Sequence, residues 1–223
     1  MNGADLPSAS LCGFPLQITG DAASKQRVIR LCGAHDSPLP VEPGDCCLIS
    51  LSVDRWNERF SPWPAPPLRG NEPFTGSGQD RQDTLAFLTK TLLPHLDATL
   101  GPGTQYLLAG YSLAGLFALW AGYDCPDFAG VAAVSPSLWF PGWAEYAAGR
   151  RVQTRAVYLS LGDREEKVRH PLLSTVGDAV RAQHRLLERD GVPAVLEWNP
   201  GNHFRDSEIR TAKGIAWLLR QLA

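Results

Sequence analysis

The chain has 223 residues, 44% of them hydrophobic and 20% charged, with a formal net charge of -2. That length suits one sizeable core and is short for two domains, so a single domain over residues 1–223 is expected. The balanced charge gives no electrostatic reason to expect nucleic acid or an anionic membrane as a partner.

The first residues, MNGADLPSASLCGFPL, lack a basic start followed by an apolar stretch, and no run is long enough to span a membrane. Cys12, Cys32, Cys46, Cys47 and Cys125 form an odd set with one adjacent pair. Without a secretory signal, this fits reduced thiols in the cytoplasm better than a disulfide framework. No His, Cys, Asp or Glu grouping has metal-ligand spacing, so neither metal nor cofactor is expected.

In chain order, DCCLISLSV (45–53) is apolar and β-branched, as a buried strand should be. The Pro-rich stretch 61–78 contains aromatic residues, which favours an ordered surface loop over a linker. Leu85, Leu88, Leu92, Leu93 and Leu96 then recur at helical spacing, with Asp83 or Thr84 as the expected start. The strand QYLLAG (105–110) and the helix SLAGLFALWAGYD (112–124) follow. Strands are expected at FAGVAAVSP (128–136), RAVYLSLG (155–162) and AVLEWNPG (194–201). Helices are expected at 172–191, closed by Gly191, and at 206–222. Strand and helix taking turns indicates an α/β fold: a mostly parallel sheet covered by helices on both faces. Ligands in such sheets bind beyond the carboxyl ends of the strands, so reactive residues should follow strands directly.

Three groups satisfy that test. Ser112 sits between the strand QYLLAG and a helix, with Gly110 two before it and Ala114 and Gly115 after it. A serine on such a strand–turn–helix has the context of a nucleophile elbow, in which small neighbours relieve crowding. His203, in NPGNHF, follows the strand 194–201. His95 and His184 fall inside helical patterns, His170 in a charged turn and His35 in an early loop. After AVYLSL comes GDREEKV, which offers Asp163, Glu165 and Glu166 as the acid. The order Ser112, acid, His203 differs from that of chymotrypsin or subtilisin.

With these residues in view, the chain resembles the α/β-hydrolase esterases related to enterochelin esterase and, more distantly, to esterase D. LSVDRWNERFSPWPAP, LAFLTKTLLPHL, GYSLAGLFALWA, VSPSLWF, YLSLGDRE and GNHF look like blocks found in that order in the group, over about residues 45 to 220. Two features depart from it. Ala114 stands where most relatives have a glycine, and relatives acting on bulky siderophores commonly carry an extra N-terminal domain. The resemblance implies a three-layer α/β-hydrolase fold, with no large lid domain expected. It also implies serine esterase chemistry with Ser112 as nucleophile and His203 as base. The acid would be Glu165, three residues after the glycine closing its strand, with Asp163 as competitor. The backbone N–H of Leu113 would serve the oxyanion hole, with a second donor at Asp54, Arg55 or Trp56, Arg55 being preferred. Trp56, Tyr111 and Trp139, with Trp63, would wall an open cleft suited to small or aryl esters. The expected partner is thus a small-molecule ester. Two alternatives share the fold: an acyltransferase, separated by product analysis with added alcohol, and a silent binding protein, separated by its failure to react with a fluorophosphonate.

Overall fold

A computed structural model describes residues 9–40, 46–68, 73–76 and 78–223. Its centre is an eight-stranded sheet in the order β1-β2-β4-β3-β5-β6-β7-β8. The strands are β1 (Ala9–Leu11), β2 (Phe14–Gly20), β3 (Gln26–Cys32), β4 (Cys47–Ser52), β5 (Gln105–Tyr111), β6 (Phe128–Val134), β7 (Ala156–Gly162) and β8 (Ala194–Asn199). β1 and β2 run antiparallel, and β3 to β8 are mutually parallel. This is the α/β-hydrolase architecture the sequence led us to expect. Ahead of the strand 47–52 the chain supplies three further strands of the sheet.

Successive residues of a strand face opposite sides of a sheet, and the core divides accordingly. Ile29, Leu31, Leu108, Val131, Ala133, Val157 and Leu159 belong to one apolar cluster; Val28, Leu107, Ala109, Ala132, Val134 and Tyr158 belong to another. Against the first face lie α4 (Leu113–Asp124) and α6 (Val176–Arg189). α4 is apolar all round and every residue but Asp124 is buried, as a central helix requires. The same face carries α1 (Trp56–Phe60), α2 (Gln79–Phe87), α3 (Leu93–Leu100) and the short α5 (Trp143–Ala148). On the second face α7 (Ser207–Gln221) packs over β5, β6 and β7.

Two helical segments differ from expectation. α2 begins at Gln79, before Asp83, because Gly78 adopts the left-handed conformation that turns the chain into the helix. A wide π-helical turn, Leu88–Leu92, joins it to α3. Pro94 has no N–H for the Lys90 carbonyl, a known cause of such irregular turns. Between β6 and β7 the described chain holds only α5 as regular helix.

Candidate active site

Ser112 is the hinge between β5 and α4. Its φ of 58° and ψ of -120° are sparsely populated for a residue with a side chain, at a cost of about 1–3 kcal/mol. The surrounding glycines explain how the turn closes. A Cβ on Gly110 would lie 2.3 Å from the Ala114 carbonyl oxygen, and one on Gly115 would lie 2.9 Å from the Gly110 oxygen and 3.1 Å from that of Val134. The close approach to β6 falls at residue 115, so the methyl of Ala114 is accommodated in the core.

Three strand ends then converge. Ser112 Oγ is 2.9 Å from His203 Nε2, and His203 Nδ1 is 2.7 Å from Glu165 Oε2. Glu165 lies in the turn after β7 and is only 6% exposed. Its other oxygen, Oε1, accepts hydrogen bonds from the Gly162 N–H at 2.7 Å, Ser135 Oγ at 2.8 Å and Arg210 Nη1 at 3.1 Å. Burial alone would raise the Glu165 carboxyl. The hydrogen bond and charge of His203, with the donors at Gly162 and Ser135, outweigh it and hold the group below its usual range.

The loop carrying His203 is tied down separately. Asp163, the competing acid, accepts the Gly201 N–H at 2.8 Å and anchors that loop rather than the imidazole. Tyr111 donates its hydroxyl to the His203 carbonyl at 2.7 Å, while Arg210 Nη2 donates to the carbonyls of Pro200 and Asn202, each at 3.1 Å. Gly162 permits this crowding: a Cβ there would sit 2.4 Å from the Gly201 oxygen. Ser135 and Arg210 escaped the sequence reading. Arg210 could have been suspected, since it shares the buried stripe of α7 with Gly214 and Leu218 at i, i+4 and i+8.

A small pocket of about 100 Å³ opens at Ser112, lined by Arg30, Leu31, Asp36, Trp56, Tyr111, Ser207, Glu208 and Thr211. Of the expected wall residues, Trp56 and Tyr111 line this pocket. Trp139 packs among Phe74 and Phe140 in the core, and Trp63 donates to the Pro141 carbonyl and rests on Phe140 and Tyr146. Neither lines the pocket. Leu113 opens α4, so its N–H has no acceptor within the helix. Arg55 caps α1 in a left-handed conformation, pairs with Asp80 at 3.0 Å and is absent from the pocket wall. The segment that the register brings beside the elbow is instead the one after β3, whose Leu31 pairs with Gly110.

Among the remaining histidines, His170 is engaged with Leu68, Leu172 and Leu173, and His184 lies by Glu188 on α6. No group of three or more metal-ligating side chains occurs among the described residues, and among them no helix is long and apolar enough to cross a membrane.

Known proteins share this fold. The IroE-like serine hydrolase from Shewanella oneidensis has a similar structure at TM-score 0.76 and 18% identity, over 100% of this chain and 81% of that one. Siderophore hydrolase EstA from Aspergillus nidulans gives 0.71 and 18%, over 100% and 95%. For the enterobactin esterase FES from Shigella flexneri the values are 0.70 and 18%, over 100% of this chain and 60% of that one. No curated protein sequence matches the chain. The sequence model of the esterase family, described as "Putative esterase", matches residues 48–203, a span that contains Ser112, Glu165 and His203. The chain belongs to that esterase family and is a carboxylic ester hydrolase of the α/β-hydrolase fold.

Proposed function

We propose that this enzyme cleaves small or aryl carboxylic esters through an acyl-enzyme on Ser112. The reading is carried by one observation, the unbroken hydrogen-bonded chain from Ser112 Oγ through both nitrogens of His203 to Glu165. A serine hydroxyl needs a base within such reach to attack a carbonyl. His203 Nε2 takes the Ser112 proton as Oγ bonds to the ester carbon, then returns it to the departing alkoxide. Water repeats the sequence and releases the acid. Glu165 holds the Nδ1–H tautomer and offsets the charge of the imidazolium.

The developing oxyanion is received by the Leu113 N–H and, in our assignment, by the backbone N–H of Ala34 or His35 in the turn Gly33–Asp36, whose end N–H groups are bonded within the turn. Each such donor contributes about 2.7–4 kcal/mol to the transition state. Pocket size supports the substrate class, since about 100 Å³ seats a short acyl chain or one ring. Phe204 adds an aromatic rim: it is 88% exposed and stands edge-on to the His203 ring, the centroids 5.4 Å apart. Enterobactin and other siderophores are named for the neighbouring structures; a single aryl ester is the smaller fragment we assign here.

A panel of p-nitrophenyl and other aryl esters of rising acyl length tests this, with and without added alcohol. S112A should lose turnover by several orders of magnitude, and E165Q by about 10⁴-fold, the cost of a wrong tautomer. D163N should stay within tenfold of wild type. Near-normal turnover by S112A, or a larger loss in D163N than in E165Q, contradicts the assignment.

A further inference from the structure

Among the described residues three arginines are buried: Arg27, Arg30 and Arg210. Two of them hold a carboxylate, Arg27 that of Asp97 at 2.9 Å and Arg210 that of Glu165 at 3.1 Å. Arg30 is only 6% exposed, yet among the described residues it makes neither a hydrogen bond nor an ion pair. No nitrogen of its guanidinium is sealed from solvent, so its free donors face the open space of the cavities it lines and are available to a ligand. The fold tolerates this charge at the edge of the reaction site.

Its position follows from the register. Arg30 lies on β3 opposite Ser50 of β4 and Ala109 of β5, whose small side chains leave space around it. It faces the α7 side of the sheet, together with Val28, Leu48 and Ala109. There α7 packs on β5 to β7, while Leu39 of the loop after β3 joins the apolar cluster near β4. Arg30 lines the pocket that holds Ser112 and also an adjoining cavity of about 270 Å³. The wall of the second cavity includes the polar side chains of Gln17, Thr19, Ser50 and Ser52. The guanidinium therefore stands between the nucleophile and a second, polar-walled space.

We propose that Arg30 seats a carboxylate carried by the substrate, so that the enzyme is selective for esters bearing one free carboxylate near the scissile bond. The inference rests on Ser112 being the nucleophile. Arg matches a carboxylate with two parallel N–H donors, which gives orientation as well as attraction. Two acidic residues also line the Ser112 pocket. Asp36 is exposed and accepts the Gly33 N–H at 2.8 Å, and Glu208 is half-buried and accepts the Ser207 hydroxyl at 2.8 Å. Both repel an incoming anion, and neither is within ion-pair distance of Arg30. They favour a ligand with a single small anionic group over a polyanion. The carboxylate can belong to the acyl part or to the alcohol part of the ester, and the two are separable by substrate.

The test compares matched pairs on wild type, R30M and R30Q. Mono-p-nitrophenyl glutarate against p-nitrophenyl valerate places the charge on the acyl side. A carboxyphenyl butyrate against phenyl butyrate places it on the alcohol side. Wild type should prefer the charged member of at least one pair, and R30M and R30Q should lower that charged-to-neutral ratio of kcat/KM by about 10–100-fold. Glutarate alone should raise the melting temperature of wild type and not that of R30M. Wild type preferring the neutral member of both pairs overturns the proposal without recourse to any variant. So does an unchanged ratio in a folded R30M or R30Q. S112A separates the two readings: if it keeps its turnover the nucleophile is misassigned, whatever the ratios at Arg30 show.

Discussion

Glu165 is an acid whose second oxygen is fully subscribed. With Gly162, Ser135 and Arg210 all donating to Oε1, the carboxylate has one orientation in which Oε2 meets His203. Arg210 is a positioning residue in this arrangement, because the same guanidinium also holds the Pro200 and Asn202 carbonyls beside His203. A cation 3.1 Å from a buried carboxylate favours its charged form. Removing that cation makes the hydrogen-bonded His203–Glu165 pair easier to protonate, so the pair takes up its proton at higher pH as the solution is acidified. The acid limb of the kcat/KM profile in R210M should therefore shift upward in pH, and R210K should partly restore it. R210M should also lose about 3–5 kcal/mol of stability, the usual consequence of leaving one partner of a buried pair alone. A lowered melting temperature with an unmoved acid limb would reduce Arg210 to a purely structural residue. Ser112 and His203 could be singled out in the chain because each follows a strand, whereas that position offered Asp163, Glu165 and Glu166 alike and only the resemblance to the esterases favoured Glu165. Ser135 could not be singled out, and for Arg210 the helical stripe signals burial but not its partner, since the work of both depends on which way a strand end and a helix are turned in the folded molecule.

At the scale of the element, the strand–elbow–helix unit from β5 to α4 shows how local sequence dictates geometry. Gly110 is required, because any Cβ there runs into the Ala114 backbone. G110A should abolish activity and strongly destabilise the fold, whereas A114G should stay within about 1 kcal/mol of wild type, the cost of added backbone freedom in a helix. Circular dichroism melts with parallel ester assays check both, and a stable, active G110A would refute this account of the turn. The parallel strands β5 to β7 were legible as apolar runs buried on both faces, whereas β8 is an edge strand that is mostly half-buried. The N-terminal strands were not. β2 alternates and contains Pro15, and the apolar run of β3 is broken by Arg27 and Arg30. α5 spans six residues, too few for a helical period to emerge. The second oxyanion donor was sought after the strand 47–52. Pairing shows that β3, not β4, is the neighbour of β5, and strand order cannot be read from a periodicity.

Over the whole molecule, the groups we assign to the reaction and the Arg27 cluster occupy opposite ends of the sheet. Beyond the carboxyl ends of β5, β7 and β8 lie Ser112, Glu165 and His203. Toward the amino ends of β3 and β5, Arg27 binds Asp97 and the Tyr106 hydroxyl. This polarity is general for parallel sheets, where loops at the carboxyl ends can vary in sequence without disturbing the core. It also explains why Arg27 and Arg30, three residues apart on one strand, differ so much: one closes the fold and the other faces the reaction site. The central claim is that Ser112 is made nucleophilic by His203 held on Glu165. Intact-protein and peptide mass spectrometry after reaction with a fluorophosphonate tests it most directly. A single adduct on Ser112 in wild type, absent from S112A and slow to form in H203A and E165Q, is the expected result. An adduct on another residue, or one formed equally fast without His203, would contradict it.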